Sequence, residues 1–167
     1  YMADRDNSCY RAMVFARKAT MGSDAFGGID RIIAGKCQNA GSNNGNALND
    51  ARFDEPTSLA LTGDGQTMFV GSYIASGIRK VTQVGHATAS TVTTFTTNPV
   101  KPDRMVIHPC RNSVASLTLY VSSDEQSKAW VFTQGGSYWE VANKPAGNEE
   151  DGDPRVVTLA WPQTDGS

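Results

Sequence analysis

The sequence has no long apolar run, no basic patch and few histidines. Its apolar runs are short, as at residues 117–121 and 156–161, whereas a membrane-spanning helix needs roughly 20 apolar residues in succession. Its 15 basic and 17 acidic residues are scattered along the chain, and a nucleic-acid-binding surface concentrates its basic residues. We therefore expect neither a transmembrane segment nor a nucleic-acid partner.

Cysteine is scarce as well. Cys9, Cys37 and Cys110 are far apart and form no CxxC pair, so a zinc site made of cysteine alone is not expected. Because their number is odd, either one of them pairs with a residue outside this chain or all three are buried thiols. We favour the first alternative and an extracellular or cell-surface location, where disulfides persist. The chain starts at Tyr1 and not at Met, which predicts a processed chain or a part of a longer protein.

What the sequence does contain is a repeat of short strands. Apolar and small polar residues alternate from Pro56 to Leu61, as in a strand with one buried face. The dipeptide Asp64-Gly65 predicts the hairpin turn that follows, because it tolerates the positive φ of tight turns. Further strands are predicted at residues 68–70, 78–81 and 90–97.

The same pattern recurs after about 46 residues. Its strands are predicted at residues 102–109, 117–123, 129–132 and 138–141, the last two separated by Gly135-Gly136. At the start of the chain, residues 1–4, 10–15 and 29–35 fit the second to fourth strands of another unit. Four strands in about 40–50 residues is the period of a β-propeller blade. Residues 21–28 and 38–46 are predicted to be loops, the second of them flexible.

Short motifs flank these strands: residues 33–35 are IAG and residues 50–56 are DARFDEP. They resemble the Leu-Ala-Gly strand ending and the Ala-Arg-Phe and Pro before a first strand in the NHL-repeat β-propeller family. Residues 1–11, YMADRDNSCYR, are similar to its Tyr-Val-Ala-Asp-x-x-Asn-x-x-Ile-Arg motif, and residues 78–81 match its third strand. In the third unit Trp130 replaces the arginine. The resemblance implies an all-β propeller of four-stranded blades whose structural repeat motif is Asp4, Asn7, Arg11, Phe53, Pro56, Asp64, Gly65 and Arg79.

The two ends of the chain complement each other. Residues 152–167 hold a first strand and its Asp165-Gly166 turn, whereas residues 1–36 hold the other strands of a partial blade. With blades at residues 50–97 and 100–145, residues 1–167 form a single segment of about three blades, and propellers usually have about four to eight. We therefore expect either a part of a six-bladed type of ring or a half that forms a homodimer.

Asp4, Asn7 and Arg11 are the most conspicuous polar residues. They could form an anion or carboxylate site, but Asp and Asn in turns more often hydrogen-bond the backbone, with Arg11 in a polar contact between repeats. Because Arg79 recurs in the next unit, we expect these residues to be structural.

No metal or cofactor is expected. The resemblance extends to amidating lyases that hold zinc with several histidines and to lactonase-like propellers with a central calcium. His86 and His108 are too few for a catalytic zinc, which needs about three protein ligands, and the aspartates are on separate loops. The acidic residues 149–153 are expected to be a solvated loop. Four aromatic residues are expected to pack between blades and not to form a contact face: Trp130, Tyr138, Trp139 and Trp161.

We therefore expect a non-catalytic binding or adhesion module whose inter-strand loops contact a protein partner. Within the family the sequence looks most like extracellular NHL proteins, including flagellar and cell-surface adhesion glycoproteins. The alternatives are a metal-dependent lyase or hydrolase (amidating-lyase-like or lactonase-like) with part of its site outside this chain, and a purely structural assembly unit.

Overall fold

The computed structural model describes residues 1–17, 26–74, 77–97, 101–108, 117–123, 125–126, 128–133 and 138–143. This part of the chain forms β-strands and no helix, which confirms the all-β prediction. No helix in it is long and apolar enough to cross a membrane. Several predicted features fall outside the described residues: the turns at Gly135-Gly136 and Asp165-Gly166, the acidic loop at residues 149–153 and the strand at residues 154–161.

The strands form three antiparallel sheets. The first sheet has the order β1-β2-β3, the middle sheet β4-β8-β7-β6-β5 and the last sheet β12-β11-β10-β9. The strands are β1 (Met2–Asp4), β2 (Cys9–Arg17), β3 (Phe26–Ala34), β4 (Gly45–Asn46), β5 (Pro56–Leu61), β6 (Thr67–Ser72), β7 (Ile78–Thr82), β8 (Thr91–Thr96), β9 (Arg104–His108), β10 (Thr118–Ser123), β11 (Lys128–Thr133) and β12 (Tyr138–Asn143).

The predicted strands agree with the observed ones to within a few residues, except at β3. That strand begins at Phe26, so the end of the loop predicted at residues 21–28 is a strand. Because Gly27 and Gly28 lie opposite Ala16 and Phe15 of β2 in the ladder, the two strands form a long hairpin.

The three sheets repeat one another in register. In each, a residue of the third strand lies opposite a small or apolar residue of the second: Arg11 opposite Met2, Arg79 opposite Val70 and Trp130 opposite Val121. A β-bulge precedes this residue each time, between residues 10 and 11, 78 and 79, and 129 and 130. A bulge shifts the register by one residue, so its recurrence indicates one structural unit used three times.

Two hydrophobic cores hold the sheets face to face. The first lies between the first and middle sheets and includes Tyr10 and Val70, and the second lies between the middle and last sheets and includes Phe69 and Leu119. Every residue of β6 is buried, because both faces of the middle sheet are covered. Among the described strands, neighbouring sheets approach each other most closely along β1, β5 and β9, which lie at one edge of the stack.

The Asn/Gly-rich connection at residues 38–46 differs from the flexible loop that its sequence predicts. It includes β4, which pairs with β8, and it is anchored by backbone bonds from Gln38 N to Asn7 O (2.7 Å) and Gly41 N to Phe53 O (3.3 Å). Asn46 Oδ1 accepts hydrogen bonds from the backbone N–H groups of Leu48 and Asn49. The asparagines therefore fix the loop by bonding the backbone, as Asn does in Asx turns.

A disulfide joins Cys9 at the start of β2 to Cys37 after β3, with their Cα atoms 5.0 Å apart. The alternative of three buried thiols is therefore wrong. Cys110 is outside the described residues. Closing this loop restricts the unfolded chain, which stabilises the fold by about 3–4 kcal/mol for a separation of 28 residues.

Candidate functional site

The polar residues of the repeat motif meet in the first sheet. Asp4 accepts hydrogen bonds from Asn7 Nδ2 on both carboxylate oxygens, at 2.9 and 3.0 Å. Arg11 Nε is 2.8 Å from Asp4 Oδ2, an ion pair without hydrogen-bond alignment, and Arg11 Nη1 contacts Asp30. The side chains therefore bond one another within one sheet. The sequence predicted that Asp4 and Asn7 bond the turn backbone and that Arg11 makes a contact between repeats. The contacts described here are instead between side chains of one sheet.

Arg79 occupies the equivalent position in the middle sheet but has different partners. Ser72 stands where the first sheet has Asp4, and no carboxylate among the described residues pairs with Arg79. Its guanidinium instead lies 4.0 Å from the ring centroid of Phe53, and Nη1 donates to Asn43 O at 3.0 Å. Both arginines thus make contacts within the stack, and their structural role stays a prediction.

The other motif residues also support the strands. Pro56 begins β5 and is buried. Asp64 Oδ1 accepts hydrogen bonds from Thr62 Oγ1 (2.6 Å) and Gln66 N (2.9 Å), and Gly65 has a φ of 70°. The predicted hairpin turn is confirmed, and these bonds lower the pKa of the Asp64 carboxyl, the Thr62 bond most of all.

The predicted packing of aromatic residues is confirmed for Trp130, which is buried in the core between the middle and last sheets. The Tyr138 ring lies 5.2 Å from that of Phe132 and is partly exposed. Nothing is described of the Trp139 side chain or of Trp161.

One end of the stack gathers loops from all three sheets. In antiparallel sheets the turns from second to third strands lie at the same end as the segments that lead into the first strands. Arg5 and Tyr73 each follow directly after a second strand, Glu55 and Lys101 precede first strands, and Glu125 is in the turn between β10 and β11. We call the surface formed by these five residues the turn face.

Tyr73 is at the centre of the turn face, between two cations. Arg5 Cζ is 5.3 Å and Lys101 Nζ 4.6 Å from its ring centroid. Both distances are within the range of cation–π attraction, which extends to about 6 Å. Ile74, the next residue in the chain, has a side chain that is 56% exposed, so this end of the stack carries an aromatic ring, an apolar side chain and charges.

Carboxylates hold the two cations in place. Arg5 Nε donates to Glu55 Oε2 at 3.1 Å, and Lys101 Nζ donates to Glu125 Oε1 at 2.6 Å. A hydrogen bond to Glu125 raises the pKa of the Tyr73 hydroxyl, and the Lys101 and Tyr73 bonds lower the pKa of the Glu125 carboxyl. The site joins residues that are far apart in the sequence, such as Arg5 and Lys101, so no sequence motif marks it.

The backbone has an uncommon positive φ at Glu55 of the turn face. Its φ is 46° although it precedes a proline. Ser8, Gln38 and Gln83, which are not part of the turn face, also have a positive φ, so this conformation does not by itself mark a site. The Glu55 conformation is held by a bond from Tyr73 N to Glu55 O at 2.9 Å, which links this residue to the central aromatic ring.

Outside the turn face, described residues line a cleft, and no metal cluster is found among them. The cleft, of about 610 Å³, lies between β5 and the last sheet. Leu59, Met105 and Trp130 line it together with Asp103 and Arg104, so it can accommodate an apolar group. Within the described residues no three His, Cys, Asp or Glu side chains cluster as metal ligands do.

The two histidines are placed differently by the structure. His86 is exposed at the end of the stack opposite the turn face, between β7 and β8. His108 ends β9, and nothing is described of its side chain.

No protein-family model and no curated protein sequence matches the chain.

Proposed function

We propose that this chain is a segment of an NHL-type β-propeller that acts as a non-catalytic protein-binding module through its turn face. The observation that carries the proposal is the convergence of turns from three sheets around Tyr73, which the exposed Ile74 follows in the chain. Tyrosine and arginine are among the side chains that contribute most to protein–protein interfaces.

The repeat geometry supports the propeller arrangement. Three units share a register and a bulge, and their sheets face one another across continuous cores. Because neighbouring sheets approach most closely along the β1, β5 and β9 edge, the stack is narrower at that edge. Wedge-shaped spacing is what radial packing around an axis requires, and β5 and β9, the first strands of their sheets, would then lie nearest the axis.

A protein-binding role fits the polar contacts of the turn face. Ion pairs join Arg5 to Glu55 and Lys101 to Glu125 across neighbouring sheets, and Tyr73 directly follows β6, a strand that is buried along its whole length. The disulfide between Cys9 and Cys37 supports an extracellular or cell-surface location, because disulfides are rare in the reducing cytosol.

The test begins with a photo-crosslinking amino acid at position 74, used on the intact protein in its own organism to trap the partner. The purified partner is then titrated against wild type and Tyr73→Ala. We expect Tyr73→Ala to weaken binding by about 30-fold or more, as truncation of a central aromatic side chain does. The matched control is His86→Ala, an exposed aromatic side chain at the opposite end of the stack, which should leave the affinity unchanged.

Two results would contradict the proposal. Binding of the trapped partner that survives Tyr73→Ala, or is lost in His86→Ala, would exclude the turn face as the contact surface. Zinc or calcium bound at about one ion per chain, with a hydrolase or lyase activity lost in His108→Ala, would favour the enzyme alternative.

A further inference from the structure

Arg79 carries a buried charge that no carboxylate of the described residues neutralises. The residue is 9% exposed. Its Nη1 donates to Asn43 O, whereas Nη2 is buried and has no acceptor in the part of the chain that the structure describes. The ring of Phe53 attracts the guanidinium but does not neutralise it. Because a buried charge without a counter-charge is costly, Arg79 needs more than packing contacts.

The equivalent arginine of the first sheet has two counter-charges. Arg11 is only half-buried, and it pairs with Asp4 and Asp30. The register of the ladders shows which residues stand at these places in the middle sheet: Ser72 replaces Asp4, and Val92 replaces Asp30. The repeat therefore keeps the arginine in its second unit and removes both of the carboxylates.

The Tyr10 hydroxyl also acts electrostatically on Arg79. Burial raises the pKa of Tyr10 above its ordinary value, so this hydroxyl is neutral at pH 7 and supplies no negative charge. A water molecule at Nη2 would accept the missing hydrogen bond but would leave the positive charge uncompensated. An anion at the same place would do both.

A second donor lies beside Arg79. Thr94 is opposite Arg79 in the ladder between β7 and β8, and side chains that are directly opposite share one face of a sheet. Asn44 Nδ2 donates to Thr94 Oγ1 at 2.9 Å, so the Thr94 hydroxyl keeps its own proton to donate. Because Asn43, Asn44 and Thr94 are exposed, the buried guanidinium lies directly beneath the surface of the Asn/Gly-rich connection.

We propose that Arg79 binds a small monovalent anion of the halide type through Nη2, with the Thr94 hydroxyl as a second donor. The anion would neutralise the guanidinium and accept the hydrogen bond that Nη2 lacks. It would do in the middle sheet what Asp4 and Asp30 do in the first. Because Nη2 is buried, the ligand is a free ion of small radius and not a carboxylate on a macromolecule.

Crystals of the intact protein grown with bromide in place of chloride test the site directly. X-ray data recorded at the bromine absorption edge should show an anomalous peak beside Arg79 Nη2. Crystals of Arg79→Met should lack this peak. Bromide at surface positions only, or an ordered water at Nη2 in the bromide crystal, would overturn the proposal.

Urea unfolding measures the same binding in solution. Chloride is varied at constant ionic strength against gluconate, which is too large for the site. The wild-type midpoint should rise with chloride and then level off, as for a ligand that binds only the folded chain. Arg79→Met should weaken chloride binding by about tenfold or more, because it removes the charged donor.

Arg11→Met is the matched control, because it removes the arginine that already has carboxylate partners. It should keep the chloride dependence of the wild type. A dependence that is unchanged in Arg79→Met, or one that is lost in Arg11→Met, would contradict binding at Arg79. Far-UV circular dichroism checks the fold of each variant. If Arg79→Met does not fold, Thr94→Val replaces it and should also weaken chloride binding. None of these outcomes depends on the turn face, which the Tyr73 variant tests separately.

Discussion

The guanidinium of Arg79 covers the ring of Phe53, with Cζ 4.0 Å from the ring centroid. Nη1 bonds the carbonyl oxygen of Asn43, while Nη2 is buried without an acceptor among the described residues. Burial lowers the pKa of Arg79 to about 10. The equivalent Arg11 is paired with Asp4 and Asp30, so the same repeat position uses carboxylates in one sheet and an aromatic ring in the next.

This contact predicts that Arg79→Lys destabilises the fold more than Arg79→Met. A guanidinium is weakly hydrated and stacks on rings, whereas an ammonium is compact and strongly hydrated. Lys at this site would bury an unpaired charge, at a cost of about 3 kcal/mol. Met keeps the apolar contact with Phe53 and loses one hydrogen bond, at about 1 kcal/mol. Urea unfolding of both variants at pH 7 measures the difference. A Lys variant as stable as wild type would show that stacking on Phe53 is unimportant.

The disulfide predicts a large effect of reduction on stability. The double variant Cys9→Ala/Cys37→Ala should lose about 3–4 kcal/mol of unfolding free energy. Wild type in reductant should lose a similar amount, whereas reductant should not change the double variant. A double variant that is still sensitive to reductant would assign the effect to Cys110.

The space between the middle and last sheets at Gly71 has no room for a side chain. A Cβ at this position would lie 2.1 Å from Pro102 Cγ, so Gly71→Ala should cost about 1–3 kcal/mol through overpacking. Gly65→Ala is the control, because a Cβ there meets no atom within 4 Å and only its φ of 70° is unfavourable, at about 1–2 kcal/mol. Urea unfolding of the double variant Gly71→Ala/Pro102→Ala decides the cause. If the added Cβ clashes with Pro102, the double variant should lose less unfolding free energy than the sum of the losses of the two single variants. A loss equal to that sum would contradict a clash.

The buried hydroxyl of Tyr10 should make the folded chain less stable at alkaline pH. Its hydroxyl donates to Gly71 O at 2.6 Å in the core, and burial raises the pKa of Tyr10 above its usual value of 10, against the charge of Arg79, which lowers it. The unfolded chain therefore loses this proton first. The contribution of Tyr10 is complete below about pH 10 and decreases as pH rises above it, by up to about 1.4 kcal/mol per pH unit.

Urea unfolding between pH 9 and pH 11 measures this decrease, with Tyr10→Phe as the control. The Phe variant should be less stable at pH 9, because Gly71 loses a donor, and should show a weaker dependence on pH. Equal pH dependence in both proteins would mean that Tyr10 does not titrate with unfolding. Arg79 acts in the opposite direction: burial lowers its pKa to about 10, so the folded chain loses that proton first and this contribution to stability increases as pH rises above about 10. We therefore compare the two proteins and not the absolute slope.

Much of the secondary structure could be predicted because its signals are local. Alternation in residues 56–61 reflects the two faces of a strand, and Asp64-Gly65 forms the turn that its φ preference indicates. The equivalence of Arg11, Arg79 and Trp130 was an expectation from the family resemblance, and the bulge that precedes each of them shows it in the structure.

The turn face could not be predicted in this way. Arg5, Tyr73 and Lys101 are single residues in separate turns, and nothing in the local sequence of any one of them indicates the other two. One signal was present: Arg5 and Tyr73 both follow the last residue of a second strand, so an alignment of the repeat units would have placed them side by side.

The sequence by itself determined the strands, their turns and the period of the repeat, because backbone preference and side-chain alternation act over a few residues. Only the tertiary structure decided that Cys9 pairs with Cys37, that Asn46 orders a polar loop and that Tyr73 lies between two cations. Each of these depends on how sheets stack, and stacking brings together side chains whose distance apart in the chain carries no information about their contact.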